Sequence, residues 1–376
     1  MADKTKEIAV VLLNLGGPDS LKAVRPFLMN IFSDRDIIRL GPSFMQKPLA
    51  FLISRLRSKK TEGLYGRIGG KSPILDITTA QAEALEKALN TMEDGGRRKD
   101  ENSSIVNRSP RAKPTGQSSI VFKVYIGMRY WHPFICDTVK RVIEDGMKHV
   151  VVLSLYPHYS RATTGSAVAE FKRVVDKFRI PNSEFRIQYI DHWYDFPPYI
   201  ECLTKNISEE IADFNSEPAC PAGRPVELLY SAHSLPEDFI NQGDPYLEHI
   251  NATINAVNAL ILSSLPKGSS PIRSHLSFQS RSGPVKWLSP STDESIIRLA
   301  KQGVKNLLVV PISFVSDHIE TLYEIDILYR DIALKNGINL KRCQSLNVSD
   351  KCISALKELV LRNTQTIADK DTDDHR

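Results

Sequence analysis

Cysteine is scarce in this chain of 376 residues, which contains only five. No two of them form a Cys-x-x-Cys pair, so the sequence has no local signature for a zinc ribbon or an iron–sulfur loop. Five cysteines are also too few to build a disulfide scaffold for a chain of this length. We therefore predict reduced thiols and a cytoplasmic protein.

Long apolar runs are absent as well. No window approaches the roughly 18 consecutive apolar residues that a membrane-spanning helix needs. The first apolar run, Ile8–Leu13, is also too short for the core of a signal peptide. The sequence thus predicts neither a membrane span nor an export signal.

Charge of one sign is concentrated in a single stretch, although the whole chain has a net charge of only +5. Residues 37–61 contain no Asp or Glu, and large apolar side chains are interleaved with the cations. The cations of this stretch are Arg39, Lys47, Arg55, Arg57, Lys59 and Lys60. Two interpretations stay open: a surface helix that buries its apolar face, or a basic, apolar lip that contacts an anionic membrane or an acidic, apolar ligand. The modest net charge gives no reason to expect a nucleic-acid partner.

Short apolar, β-branched runs alternate with longer segments of helical period, which favours an α/β fold. Runs such as Val150–Leu153 are apolar without interruption, so they should be buried on both faces, as strands of parallel sheets are. Eight predicted strands over 376 residues fit two doubly wound domains better than one large sheet. The predicted strands are Ile8–Leu13, Val121–Ile126, Val150–Leu155, Arg186–Ile190, Val226–Ser231, Leu276–Gln279, Asn306–Ile312 and Leu340–Gln344.

Titratable side chains follow two of these strands. His233 comes just after Val226–Ser231, and Glu320 and Glu324 follow Asn306–Ile312. Open α/β sheets place their ligands at the carboxyl ends of the strands, and a histidine there can accept protons or bind a metal. A structural histidine and a solvated helix start are the simpler alternatives. The two glutamates are four positions apart, so they share one helical face and repel each other unless a cation or proton offsets their charge.

Several motifs, collinear over residues 8–360 apart from one insertion, resemble those of ferrochelatases. They are Leu13–Pro18, Tyr65–Pro73, Gly127–Tyr130, Tyr156–Ser160, Ser231–Pro236, Gly243–Tyr246, Gly283–Pro284, Trp287–Leu288 and Ser316–Glu324. The resemblance is to the proteobacterial and mitochondrial branch, whose substrate is protoporphyrin IX.

This resemblance implies the chelatase fold, in which two similar Rossmann-like lobes enclose a porphyrin cleft. Each lobe is a parallel sheet flanked by helices. We expect the first lobe to comprise residues 5–180 and to be completed by the C-terminal segment 335–366. Residues 93–119, which have little apolar content, are predicted to be a disordered insertion in that lobe. The second lobe is expected to comprise residues 181–334 and to carry His233 and Glu320.

The resemblance also implies the roles of individual residues. His233 and Glu320 are the expected catalytic pair and line the metal site, although whether His233 acts mainly as a base or as a ligand stays open. Arg67 and Arg129 match residues that hold propionates or order the cleft, and Tyr130 matches a residue beside the ring. The expected substrate-binding residues are Leu15, Arg67, Arg129, Tyr130, Asp317 and His318.

The implied activity is that of a lyase that inserts Fe²⁺ into protoporphyrin IX, the last step of haem biosynthesis, with release of two protons. Coproporphyrin III as the substrate, or porphyrin or haem binding without catalysis, are the alternatives. The expected partners are porphyrin, Fe²⁺ and, through residues 37–61, the anionic inner face of a membrane. The oligomeric state is left open.

Two departures from the family pattern affect the expected cofactors and metal sites. Arg161 stands where relatives with a [2Fe–2S] cluster have a cysteine, and their C-terminal extension is missing, so we predict no cluster and no permanently bound cofactor. Leu328 stands where relatives usually have Glu. Only Glu320, Glu324 and Asp326 are then left for a proton or metal path.

Overall fold

The computed structural model describes residues 6–91, 120–178, 185–216, 225–265, 272–281 and 283–373. The insertion predicted at 93–119 lies outside these residues. Along the part of the chain that is described, no helix is both long and apolar enough to cross a membrane.

Eight strands form two four-stranded parallel sheets, which confirms the predicted fold class. The first sheet has the order β2-β1-β3-β4 and the second has the order β6-β5-β7-β8. Each predicted strand is present, with ends that differ by a few residues. The strands are β1 Lys6–Asn14, β2 Ile120–Met128, β3 His149–Ser154, β4 Arg186–Ile190, β5 Val226–His233, β6 Ser274–Gln279, β7 Asn306–Pro311 and β8 Asn339–Arg342.

Helices flank both sheets. The α-helices are α1 Val24–Ser33, α2 Gln46–Gly66, α3 Ile74–Asn90, α4 Ile135–Glu144, α5 Ser166–Lys177, α6 Pro197–Ser216, α7 Glu237–Asn241, α8 Tyr246–Ser264, α9 Thr292–Lys301, α10 Arg330–Lys335 and α11 Asp350–Asp373. Two segments, Arg161–Gly165 and Glu320–Tyr329, form π-helices, and the second is called the π-helix below.

A single apolar core joins the two sheets. It contains Leu12 and Leu153 of the first sheet together with Leu228 and Val310 of the second. Each sheet has a further apolar cluster on its other face, so the central strands are covered on both sides, as their uninterrupted apolar runs predict.

The predicted lobe boundaries need correction by one strand at each end. The strand β4 (Arg186–Ile190) pairs with β3 and belongs to the first sheet, whereas β8 (Asn339–Arg342) pairs with β7 and belongs to the second. Apolar patterning identifies a strand but not its neighbour, and both strands lie at the predicted boundaries. After β8, the chain returns to the first lobe, where α11 contacts α3, β3 and β4.

The basic stretch forms α2, but its apolar face is not the buried one. The buried positions of α2 include Gln46, Ala50, Ser54 and Ser58, which are small or polar and recur every four residues. The large apolar side chains point outward instead. The exposed apolar residues of this stretch are Phe44, Met45, Phe51, Leu52 and Leu56. The surface helix with a buried apolar face is therefore wrong, and we call the exposed surface of residues 44–60 the basic–apolar lip.

Candidate active site

The centre of the site is a hydrogen-bonded pair, His233 and Glu320. His233 is the last residue of β5, and Glu320 is the first residue of the π-helix that follows β7. The distance between His233 Nδ1 and Glu320 Oε1 is 2.9 Å. Because a carboxylate oxygen accepts, Nδ1 carries the hydrogen, and in the neutral ring Nε2 is then the basic nitrogen. The His233 side chain is 31% exposed, so the ring is open to a ligand.

The second oxygen of Glu320 has its own partners. Gln279 Nε2 donates to Glu320 Oε2 over 2.9 Å, and His318 Nε2 lies 3.6 Å from the same oxygen. His318 is held in turn by a hydrogen bond from its Nδ1 to the Ser316 carbonyl, at 3.0 Å. The structure therefore brings His233, Glu320 and His318 together, and it adds Gln279. Sequence reasoning missed this glutamine because an amide at the end of β6 has no motif of its own.

Burial alone would disfavour the charged forms of both His233 and Glu320. The charge of Glu320 and its hydrogen bond outweigh burial at His233 and raise the pKa of the imidazole. In the same way, the charge of His233 and its hydrogen bond, helped by the neighbouring His318, outweigh burial at Glu320 and hold the pKa of its carboxyl well below its usual value. Each member of the pair thus stabilises the charge of the other.

Glu324 behaves in the opposite way. Burial and the neighbouring charge of Glu320 raise the pKa of Glu324 to about 7, although the hydroxyl of Ser280 opposes the shift by donating to Glu324 Oε2 at 2.7 Å. The repulsion expected between two glutamates on one helical face is therefore relieved when Glu324 binds a proton. A carboxyl group that titrates near neutral pH beside a histidine can accept and release protons.

Residues of the first lobe reach the same site. Burial raises the pKa of Tyr65 and of Tyr156, and the negative charge of Glu320 raises both further. Arg67, just after α2, has its guanidinium carbon 5.7 Å from the centre of the Tyr323 ring on the π-helix. The two lobes thus face each other across the pair formed by His233 and Glu320.

Leu15 is half-buried just after β1, where its neighbour fixes the backbone. Asn14 Oδ1 accepts from the Leu15 N–H over 2.8 Å, and Asn14 Nδ2 donates to Thr78 Oγ1 over 3.0 Å. This is compatible with the expected position of Leu15 at the cleft.

Arg129 and Tyr130 both bind a buried carboxylate, that of Asp34. Asp34 Oδ2 accepts from Arg129 Nη2 at 2.7 Å, from the Tyr130 hydroxyl at 2.6 Å and from Ser166 Oγ at 2.8 Å. The hydrogen bonds and the Arg129 charge outweigh burial and lower the pKa of Asp34. Tyr130 is 1% exposed, so the expected contact of its ring with porphyrin is corrected here. Asp34 was not predicted, because nothing local in the sequence links it to Arg129.

Asp317 and Asp326 are both bound to Arg342. Asp317 Oδ1 accepts from Arg342 Nη1 and from Ser345 Oγ at 2.9 and 2.8 Å, and Asp317 Oδ2 accepts from Asn347 Nδ2 at 2.9 Å. Arg342 also binds both carboxylate oxygens of Asp326, at 2.8 and 2.9 Å. Both carboxylates are thus engaged within the second lobe, and the expected roles of Asp317 in substrate binding and of Asp326 in a proton path stay predictions.

Within the described ranges, no group of three or more His, Cys, Asp or Glu side chains is arranged to hold a metal ion. The pair formed by His233 and Glu320 offers two donors. Two donors suit a metal that passes through the site better than one that stays.

The fold has a counterpart among solved structures. The chain is similar in fold to the solved structure of "SirB from Bacillus subtilis with Fe3+", with a TM-score of 0.50, 12% identity and 96% of each chain covered. At this identity the likeness concerns the fold alone. The comparison thus supports the α/β fold of two parallel four-stranded sheets flanked by helices.

Sequence comparisons give the family. The ferrochelatase family model matches residues 7–101 and 109–364, and the gap between them falls within the predicted insertion. The chain is 46% identical over 361 residues to the ferrochelatase of Geotalea uraniireducens, with 96% of this chain and 98% of the relative covered. It is 42% identical over 358 residues to that of Synechocystis sp., with 94% and 82% covered. The chain belongs to the ferrochelatase family, the lyases that insert iron into a porphyrin in haem synthesis, and the predicted family and enzyme class are confirmed.

Proposed function

We propose that this enzyme inserts Fe²⁺ into protoporphyrin IX and forms protohaem with release of two protons. The observation that carries the choice of porphyrin is the basic–apolar lip. Phe51 and Leu56 are 51% and 71% exposed on α2, and α2 ends beside Arg67 and the π-helix. An apolar entrance favours a porphyrin with two carboxylates over coproporphyrin III, which has four.

Proton removal is the first chemical requirement. Only deprotonated pyrrole nitrogens bind iron, so two N–H protons have to leave the ring. We assign their acceptance to His233, whose Nδ1–H is engaged by Glu320 and whose Nε2 is then the acceptor. The distance of 2.9 Å between Nδ1 and the carboxylate supports this tautomer. The negative charge of Glu320 also stabilises the imidazolium that forms when the proton arrives.

The proton then needs a path away from the macrocycle. Glu324, with a pKa of about 7, can take it up and release it at neutral pH, and Ser280 keeps its carboxyl group in place. Asp326 is not assigned to this path, because Arg342 binds both of its oxygens.

Fe²⁺ is a substrate and has to leave the protein for the ring. We propose that His233 and Glu320 bind it on the way, and that the small number of donors keeps this binding weak. His233→Ala shows which role of His233 dominates. A greater loss of proton exchange with metal-free porphyrin would favour the role of base, and a greater loss of metal binding would favour the role of ligand.

The choice of porphyrin is tested by measuring kcat/KM for Fe²⁺ insertion with protoporphyrin IX and with coproporphyrin III. We expect protoporphyrin IX to be favoured by at least about 10-fold, or about 1.4 kcal/mol, because coproporphyrin III would bring two further carboxylates to a partly apolar site. The double variant Phe51→Ser/Leu52→Ser should reduce this preference. A preference of the parent enzyme for coproporphyrin III would reverse the proposal, and binding of both porphyrins without insertion would support a carrier instead.

We also propose that the basic–apolar lip contacts an anionic membrane surface on the cytoplasmic side. The lip combines exposed Phe and Leu side chains with exposed Lys47, Lys59 and Lys60. Apolar side chains that enter the headgroup region, with cations that attract anionic lipids, are the two elements of interfacial binding. An apolar substrate could then enter the cleft without crossing bulk water.

A further inference from the structure

The backbone of His233 is enclosed by two side-chain hydroxyls. The His233 N–H donates to Ser313 Oγ over 2.8 Å, and the Tyr246 hydroxyl donates to the His233 carbonyl over 3.0 Å. The two hydroxyl oxygens are 2.6 Å apart. Since the hydrogen of Tyr246 is used on the carbonyl, Ser313 is the donor to Tyr246. Each hydroxyl then donates once and accepts once, and the three bonds form a closed ring.

This ring stands where the sheet ends. The pairing of β5 with β7 reaches Ser231 and Pro311, and the Ile312 N–H donates to the Ser231 carbonyl at 3.1 Å. On the other side of β5, the Ser234 N–H donates to the Gln279 carbonyl at 2.9 Å. The backbone groups of His233 therefore point toward β7, which has already ended. Ser313 and Tyr246 supply the partners that a longer strand would have supplied.

The ring is also connected to the first lobe. Tyr246 begins α8, and its N–H donates to Asp244 Oδ1 at 3.1 Å. The other oxygen of Asp244 accepts from Ser160 Oγ at 3.0 Å and from the Arg161 N–H at 2.8 Å. Ser160 and Arg161 follow β3 in the opposite lobe, where the π-helical segment Arg161–Gly165 begins. A buried carboxylate thus links the loop of one lobe to the residue that holds His233 in the other.

We propose that Tyr246 and Ser313 are positioning residues for metal insertion, which hold the backbone of His233 so that its imidazole meets both Glu320 and the porphyrin. The inference rests on the proposed role of His233. Tyr246 is buried, and burial raises the pKa of its hydroxyl, so this group acts as a neutral hydrogen-bonding partner and not as an acid. Neither hydroxyl bonds to the imidazole, so their effect reaches the reaction through the His233 backbone.

The test compares Tyr246→Phe and Ser313→Ala with the parent in Fe²⁺ insertion into protoporphyrin IX. We expect each variant to lower kcat by about 10-fold, with KM for porphyrin and Tm close to those of the parent, since small displacements of a reacting group cost up to about 100-fold. The double variant should be no slower than the slower single one, because both changes break the same ring. Ser313→Thr keeps the hydroxyl and should restore most of the rate.

Tyr230→Phe is the matched control. Tyr230 lies on the same strand and also buries its ring, but its hydroxyl donates to Asn258 Oδ1 at 2.9 Å, away from His233. This variant should keep the parent kcat. If Tyr246→Phe kept the parent kcat, or if Tyr230→Phe lowered it equally, the positioning role would be excluded. His233→Ala, measured in parallel, tests the proposed role of His233 separately from that of Tyr246. If His233→Ala inserted iron at the parent rate, His233 would not be the base, whatever the result for Tyr246→Phe.

Discussion

The pKa values of single side chains set the pH range in which the proposed site can accept protons. His233 accepts a proton only when its ring is neutral, and the fraction of neutral rings grows as the pH rises through its pKa. Glu320 raises that pKa, so it makes the histidine a stronger base at the cost of a smaller neutral fraction at low pH. The raised pKa of Glu324, about 7, lets this carboxyl group exchange protons near neutral pH.

These shifts predict the pH dependence of insertion. In the parent, the acid limb of kcat/KM should lie above pH 6.5, the ordinary value for His. In Glu320→Gln the charge that raises the pKa of both His233 and Glu324 is gone, so the limb should move to lower pH while the maximal rate falls about 100-fold. The profile is measured with Zn²⁺ or Fe²⁺ as the metal.

A second histidine–glutamate pair offers the control for this experiment. Glu227 Oε2 lies 2.7 Å from His275 Nε2, and Glu227 is near the start of β5, at the opposite end of the strand from His233. Glu227→Gln should leave the acid limb where it is. An unshifted limb in Glu320→Gln would contradict the coupling between Glu320 and His233.

At this scale the sequence pointed to the proposed reacting residues, which the structure brings together, more reliably than to the residues that hold them. His233, Glu320 and His318 stand at strand ends, where patterning and resemblance both point. Tyr130 and Asp317 match the family motifs equally well, but the structure binds Tyr130 to Asp34 and Asp317 to Arg342. Asp34 and Arg342 are distant in sequence from the residues they hold, so no local pattern could have revealed them.

Secondary-structure elements determine how ligands reach these side chains. The π-helix carries Glu320 and Glu324, which the sequence places on one helical face, but spacing alone does not distinguish a π-helix from an α-helix. The helix α2 departs further from the pattern that is usual for a surface helix. Its small and polar residues face the protein, so its large apolar residues and its cations share the exposed side.

The exposed side of α2 predicts salt-dependent membrane binding. Each lysine near an anionic surface contributes about 1 kcal/mol, so Lys59→Glu/Lys60→Glu should weaken binding to phosphatidylserine vesicles by roughly 30-fold at low salt. Cosedimentation with the vesicles measures this. Insertion into detergent-solubilised protoporphyrin should stay at the parent rate.

Two exposed lysines elsewhere provide a control of equal charge. Lys148 and Lys177 lie just before β3 and at the end of α5, away from the lip. Lys148→Glu/Lys177→Glu should leave vesicle binding unchanged apart from a small effect of net charge. Equal weakening by both double variants would show that the lip has no special role.

For the molecule as a whole, the central strands were the most predictable, because they are nearly continuous apolar runs, and all eight predicted strands are present among the described residues. The sheet to which each strand belongs was not predictable for β4 and β8. The strand β4 pairs with β3 and β8 pairs with β7, and composition does not reveal which strands pair. The resemblance to one family supplied the cleft, and the shared core between the sheets shows why the two lobes form one body.

The absence of an iron–sulfur cluster stays a prediction for the whole molecule. Arg161, at the position of a cluster cysteine in some relatives, lies 5.0 Å from the Phe239 ring centre and 3.2 Å from Gln242 Oε1. A guanidinium group does not ligate iron, and clusters need thiolates. Purified, porphyrin-free protein should show no visible absorbance and no acid-labile sulfide. Stoichiometric sulfide would refute this.

The central claim is that His233, held by Glu320 at the carboxyl end of β5, accepts the protons that metal insertion displaces. The most direct measurement is the rate of anaerobic Fe²⁺ insertion into protoporphyrin IX by His233→Ala, with porphyrin binding measured in the same preparation. We predict that the variant binds protoporphyrin IX as the parent does and inserts iron at least about 100-fold more slowly. Insertion at the parent rate would contradict the account.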